Sequence, residues 1–365
     1  MAMSAVAAAV PSVAAGSASP AGQDGYEGAV RKIWRHTEGD FPDAPSLLRE
    51  LVRYATLAPS SHNTQCWKFR VGERSIAILP DLSRRCPVVD PDDHHLFVSL
   101  GCAAENLAQA ALANGLQALA TPGAAPADAL RIALEPTRAV RSALFDAIPL
   151  RQSTRAEYDG KALTGEELQL LEQAGSGAGV RVLLLTEKAA MEQVLEYVIE
   201  ANTAQVNDPA FVEELKHWIR FGESEAVHSG DGLFSRSTGN PALPRWLGGV
   251  LFGMLFTPKN ENGKIARQVR SSAGIAVFVS DADDPPHWLE TGRCYQRFAL
   301  QAAALGIRNA HLNQPVELAT LRPQFAGFLG IGPHRPDLVV RFGRGPLTPR
   351  SLRRPVDDVL VSSPV

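Results

Sequence analysis

Apolar positions recur at helical spacing over residues 45–57 (PSLLRELVRYATL). Leu47, Leu48, Leu51, Val52 and Ala55 share one face and Pro59 follows, so a helix is predicted over Pro45–Leu57. Trp67–Val71 and Ser75–Leu79, either side of Gly72, read as a β-hairpin. Residues 96–115 (LFVSLGCAAENLAQAALANG) carry a single charge, Glu105, before the Asn114-Gly115 stop; a helix this apolar all round is predicted to be buried. A linker at Thr121–Asp128 leads to a strand at Leu130–Leu134. Thr164 with Glu167 three residues on forms a capping box that opens a further helix, and Val180–Leu185 is a strand. Helices over Lys188–Asn202 and Asp208–Phe221 precede a Gly/Pro-rich stretch at 222–262, whose irregularity suits a lid, a binding loop or disorder. Ile275–Ser280 is a strand, Trp288–Gly306 a second buried Ala-rich helix, and Leu338–Phe342 a late strand.

The two buried helices echo one another. Gly101 through Ala110-Ala111 to Gly115-Leu116 matches Gly292 through Gln301-Ala302 to Gly306-Ile307 at constant offset. A weaker echo links Glu50–Ser60 to Glu166–Ser176, each an amphipathic helix running into a small-residue turn. The recurring order of helix, turn and strand predicts an internal duplication. The expected organisation is a leader over residues 1–28, a first unit over 29–150, and a second over 151–365 that contains the 222–262 insert.

Composition bounds the function. The 36 basic and 39 acidic residues give a net charge of −3, which argues against a nucleic-acid footprint or attraction to anionic membranes. The four cysteines form no C-x-x-C pair, so free thiols are expected rather than a zinc site or disulfide framework. No apolar run reaches the ~18 residues of a membrane span. The first 25 residues are Ala/Ser/Gly/Pro-rich and uncharged until Asp24, without the basic start of a secretory signal. They read as a disordered leader on a cytoplasmic protein; a signal remnant would instead place it in the periplasm.

Three polar clusters are candidates for chemistry. Ser60-Ser61-His62-Asn63-Thr64-Gln65 suits either turn chemistry or the presentation of donors and acceptors to a polar ring. Arg151-Gln152-Ser153-Thr154-Arg155 suits a phosphate, with charge-assisted guanidinium bonds and hydroxyl donors, or equally a solvated basic loop. Arg350-Ser351-Leu352-Arg353-Arg354-Pro355 is a basic tail that would close such a site from the other side. The adjacent His94-His95 is not expected to converge on one metal. The chain contains no H-E-x-x-H, G-x-S-x-G, Walker loop or G-x-G-x-x-G.

Together the clusters resemble a known family. APSSHNTQCWKF at Ala58–Phe69 is similar to the A-P-S-x-x-N-x-Q-P-W motif of nitroreductase-like flavoproteins, and RQSTR at Arg151–Arg155 to their R-R-S-x-R motif. Leu305-Gly306-Ile307 through Asn313-Gln314-Pro315 resembles their L-G-L-G-T-x-P-x-x-G segment. The order of the first two motifs, the insert and the closing R-R-P-V-D-D-V resemble the Acg-like branch of mycobacteria and proteobacteria. The resemblance implies an α+β nitroreductase-like fold, two fused pseudo-repeat units with mixed or antiparallel sheets around buried central helices. It implies FMN as cofactor, with Arg151, Ser153 and Arg155 at its phosphate and ribityl chain. Ser60, Ser61, Asn63 and Gln65 would contact it from the other half. Backbone at His311, Asn313 and Gln314 would approach the ring edge, and Arg353 or Arg354 would complete the phosphate site. The implied activity passes electrons from NAD(P)H to a nitroaromatic or quinone; the alternative is a non-catalytic FMN-sequestering protein under a closed lid. A fused pair implies a pseudo-dimeric monomer, with a homodimer of such chains also open. Cys66 stands where the family has proline, and Gln314 where it has glycine.

Overall fold

The computed structural model describes residues 20–37, 39, 41–123 and 129–362. The first half contains α1 (Pro20–Ile33), α2 (Ala44–Thr56), β1 (Trp67–Val71), β2 (Ser75–Pro80), α3 (His94–Ala113), β3 (Leu116–Pro122), β4 (Leu130–Pro136) and the short α4 (Ala143–Ala147). The second begins with α5 (Gly165–Gly175), β5 (Val180–Leu185), α6 (Lys188–Asn207) and α7 (Pro209–Trp218). It continues through β6 (Ile219–Arg220), α8 (Glu223–Ser229), β7 (Leu233–Phe234), α9 (Arg245–Leu255) and α10 (Pro258–Arg270). It closes with β8 (Gly274–Ser280), α11 (Pro285–Ala304), β9 (Arg308–His311), α12 (Gln314–Glu317), α13 (Arg322–Leu329) and β10 (Arg335–Gly343).

The fold is α+β, with two four-stranded antiparallel sheets ordered β1-β2-β4-β3 and β5-β8-β10-β9. Along the chain each sheet is laid down in the same sequence: an amphipathic helix, an edge strand, an inner strand, a long buried helix, the other edge strand, and the second inner strand. In the second sheet the inner strands are buried along their whole length, so β8 (GIAVFVS) is a continuous apolar run.

Helices α3 and α11 cross at the centre of the main core, which draws side chains from Leu48 to Val359. Their contact is reciprocal. A Cβ on Gly101 would lie 2.0 Å from Leu289 O, and one on Gly292 would lie 2.0 Å from Val98 O, so the backbones touch where side chains are absent. One turn on, Gln296 Nε2 donates to Asn106 Oδ1 at 2.6 Å and Arg297 Nη1 pairs with Glu105 at 3.1 Å. At the repeat's offset Glu105 corresponds to Gln296 and Asn106 to Arg297, so these two pairs exchange under it. By length and composition α3 would suffice to cross a membrane, although it carries no unbroken apolar run; here it is largely buried in the core.

Two segments cross between halves. Phe69 of β1 exchanges backbone hydrogen bonds with Val359 and Val361, so the C-terminus extends the first sheet. Thr154 N donates to Asn309 O, which docks residues 151–155 beside β9.

Three expectations change. Residues 20–28 of the expected leader belong to α1, because Tyr26 packs on Phe234, Ala226 and Leu352 and gives the helix a buried face; residues 1–19 of that leader lie outside the described residues. The insert is largely helical, carrying α8, α9 and part of α10, and it belongs to a longer excursion between β5 and β8. The linker at 121–128 begins inside β3, and its residues 124–128 lie outside the described residues.

Candidate functional site

The turn after α2, the start of α3, the 151–155 segment, the 310–314 segment and the insert enclose a cavity of about 440 Å³. A smaller one of about 50 Å³ shares Pro59, Ser60, Ser153, Arg155 and Leu233 with it and adds Trp34, Asn63, Arg151, Arg350 and Arg353.

The turn is bent by left-handed backbone at His62, Asn63 and Gln65 (φ 47, 54 and 54°), a conformation Asn tolerates better than most residues. Side-chain amides hold it there. Asn63 Nδ2 donates to Gly232 O and Leu352 O, and its Oδ1 accepts from Arg353. Gln65 Nε2 donates to Gly230 O, and its Oε1 accepts from Arg354 N. Ser60 Oγ accepts from Gln65 N at 2.8 Å. The polar atoms of Asn63 and Gln65 are thus taken up in tying the turn to the insert and the C-terminal segment.

The 151–155 segment is different. Arg151 is 2% exposed; its Nε and Nη1 have no hydrogen-bond partner, and Nη2 makes one long bond of 3.4 Å to Leu57 O. Burial depresses the pKa of both Arg151 and Arg155, and only tyrosines and, for Arg151, Cys102 oppose it; no carboxylate acts on either. Arg350 lines the smaller cavity, and burial followed by the nearby Arg151 and Arg308 holds its pKa down to about 10. A buried guanidinium without a counter-ion is costly, so this cluster of cations fits an anion.

Arg353 has a different task. Its five donors go to the carbonyls of Thr56, Leu57, Ala58 and Leu352 and to Asn63 Oδ1, which satisfies the buried C-terminal end of α2. It and Arg350 both stack on Trp34, with guanidinium carbons 4.8 Å from the ring centre.

Ser60, Ser61, Ser153, Arg155, His311, Asn313 and Gln314 therefore meet at the large cavity, and Asn63, Arg151 and Arg353 at the small one. Gln65 and Arg354 line neither; Arg354 donates instead to Asp358 O. Asn313 Oδ1 accepts from Val339 N and fixes the segment to β10, while Gln314 Oε1 is buried without a partner. His62 and His311 are held neutral, with pKa values brought down to about 4 and about 3 by burial and then by Arg155.

The sequence reading missed Tyr295, His95 and Arg350. Tyr295 OH donates to Asn309 Oδ1 and the residue lines the large cavity; its hydroxyl in an otherwise Ala-rich helix was the available signal. Arg350 belonged to a quoted cluster but was not singled out. His94 and His95 do approach one another: with Asp90 they form a buried group whose ligand-type atoms lie within 4.8 Å. They converge because the chain turns at Asp93 (φ 61°) into α3. Asp90 is engaged by the first turn of α3 and His94 Nε2 by Asp337 at 2.8 Å, so two of the three members are already committed to hydrogen bonds within the protein.

No protein-family model matches the chain. The Mycobacterium tuberculosis protein named "Putative NAD(P)H nitroreductase Rv3131" is 28% identical over 335 residues, 88% of this chain and 92% of its own. "Putative NAD(P)H nitroreductase acg" of the same species is 24% identical over 86% of this chain and 95% of its own. Among solved structures, the FMN-dependent nitroreductase NfnB from Mycobacterium smegmatis, in complex with NADPH, overlaps 61% of this chain and 98% of its own at 13% identity and a TM-score of 0.40. Along most of its length the chain is similar to the Acg-like proteins of the nitroreductase-like family, the branch its motif order indicates.

Proposed function

We propose that the chain is an FMN-dependent oxidoreductase that takes electrons from NAD(P)H and passes them to a small electron-poor acceptor of nitroaromatic or quinone type. We also propose that it is an internal pair of units working as a monomer, with one flavin between the halves. The observation that carries this reading is the carboxylate-free group of the buried Arg151 and the half-buried Arg155 and Arg350 at one end of a mostly apolar cavity. A planar ring ending in a phosphate has that distribution of polarity. The names of the mycobacterial relatives support the same activity.

Arg151 Nε and Nη1, the Arg155 guanidinium and the Ser153 hydroxyl would hold the phosphate, and Arg350 would add charge. Ser60, Ser61 and the 311–314 segment would lie along the ring. Arg353, with its donors engaged, would shape the pocket and contribute charge only. Bound FMN would supply the two-electron chemistry, which no side chain here provides. Phe221 and, from the insert, Leu251, Phe252 and Phe256 line the same cavity and would exclude water from the bound ring.

The purified protein should carry a flavin band near ~450 nm. Anaerobic NADH or NADPH should bleach it, and a quinone or nitroaromatic should restore it. A flavin that stays oxidised under both nucleotides would point instead to a storage protein closed by its insert. A protein that takes up no FMN sinks both readings.

A further inference from the structure

We propose that His95 is the acid that protonates the acceptor, oriented by Asp90, and that the site therefore serves quinone-type acceptors that need a proton on oxygen. The inference rests on the proposed flavin chemistry and adds to it a residue and a substrate class.

His95, Val98, Ser99 and Cys102 place one face of α3 on the large cavity. The His95 ring is 6% exposed and its Nδ1 lies 3.4 Å from Asp90 Oδ1. Asp90 cannot swing away, because its two oxygens accept the backbone N–H groups of His95 and Leu96, each at 2.9 Å. The opposite ring nitrogen, Nε2, is buried and has no partner. An imidazole fixed by a carboxylate on one nitrogen and unengaged on the other is the arrangement of a proton donor. The same cavity is lined by Val89, Val98, Phe211 and Leu215 and by the polar Gln205, His311 and Glu317, whose carboxyl is pushed up by burial.

The charged and titratable groups around it act in both directions. Burial and Arg335 of β10 disfavour the imidazolium, while Asp90 and Glu317 of α12 favour it; the balance raises its pKa. His94, with ring centres 4.6 Å apart, is pushed well down by burial and then by His95. His62, from the turn after α2, is also held neutral. His95 is thus the one cavity-lining imidazole, among the described residues, whose pKa is raised.

The balance for a quinone is simple. Of the two electrons and two protons a quinone needs, flavin held at this site would supply both electrons and one proton, and His95 Nε2–H would give the second proton. The acceptor would leave as hydroquinone and His95 as neutral imidazole, which water would reprotonate. An outer-sphere acceptor such as ferricyanide takes electrons alone and needs no such donor.

The test uses the FMN-loaded protein with its flavin reduced by dithionite, followed by stopped-flow reoxidation with benzoquinone or with ferricyanide. In His95→Gln the ratio of the quinone rate to the ferricyanide rate should fall about 10²-fold at pH 7, the size of a general-acid contribution. In Asp90→Asn the pH midpoint of the quinone rate should move down. As a readout independent of turnover, NMR titration of the His95 ring in the wild-type apoprotein should show a midpoint above 6.5 that drops in Asp90→Asn. An unchanged rate ratio in His95→Gln, or a His95 ring that titrates below 6.5 in the wild type, overturns the proposal. Failure of NAD(P)H to bleach the flavin would count against the proposed electron donor alone, because dithionite supplies the electrons here.

Discussion

Gly101 and Gly292 are each excluded from carrying a side chain by a carbonyl of the facing helix. Backbone cannot move aside as a side-chain end can, so Gly101→Ala and Gly292→Ala should each destabilise the protein by about 3 kcal/mol, at the upper end of overpacking costs. The two losses should be similar, and urea unfolding measures both. Arg151 gives the opposite kind of prediction. Its charge is buried without a counter-ion, so Arg151→Met should weaken FMN retention by about 1.5–3 kcal/mol while leaving the apoprotein as stable or more so. Flavin release on dilution and apoprotein melting together check it. His311 adds a pH effect. Its folded pKa of about 3 lies below the ordinary 6.5, so the unfolded chain takes up a proton first as pH falls. The stability His311 contributes is present above 6.5 and is lost between 6.5 and about 3. In His311→Gln the apoprotein's acid limb should be shallower over that window. At this scale the sequence was informative about Arg151, Ser153 and Arg155, whose types and spacing suit an anion. It could not show that Gln65 faces Gly230 and the Arg354 backbone, because that depends on distant segments meeting.

Elements with strong local signals were legible. The Thr164–Glu167 box caps α5 through both reciprocal bonds, and β5 spans Val180–Leu185 as its Val/Leu run suggested. The hairpin of β1 and β2 and the buried helices α3 and α11 stand within two or three residues of the expected places. Short or unpatterned elements were not legible. β9 reads Arg-Asn-Ala-His, which has neither alternation nor a run, and owes its state to pairing with β10. α9 was hidden by Gly248, Gly249 and Gly253, which read as breakers. At Gly248 the structure shows why one is used: a Cβ there would come within 2.4 Å of the Phe221 ring. α9 is apolar on both sides. Leu251, Phe252 and Leu255 line the cavity, while Trp246, Val250 and Met254 are exposed. Replacing residues 245–255 with a short Gly/Ser linker should speed FMN release and admit larger acceptors without loss of the core, as stopped-flow release and acceptor profiles would show. Near the other end of the site, Trp34→Ala removes the ring under Arg350 and Arg353 and should cost about 0.5–2 kcal/mol of FMN retention.

For the whole molecule, the halves share one core and exchange segments at Phe69 and at Asn309. Calorimetry should accordingly show a single cooperative transition rather than two. Residues 1–150 and 151–365 expressed separately should be insoluble, yet co-expression should recover an associated pair on size exclusion. The common order of the two sheets bears on the duplication inferred from the Gly101 and Gly292 helices, and it was invisible in the sequence because β3 and β9 carry no pattern of their own. The phosphate-type cluster and the insert, by contrast, both belong to the second half.

The placement of that insert, between β5 and β8 and nowhere in the first sheet, has an evolutionary consequence. In a symmetric homodimer every mutation is expressed twice, so a change that improves one site burdens the other equally. In a single chain built as an internal pair, the copies drift apart. One can gain a cover and an anion-binding segment while its counterpart supplies the opposite wall of a shared site, as the turn at Ser60 and Ser61 does here. Under the proposed duplication, this chain has broken its own symmetry at the level of the gene.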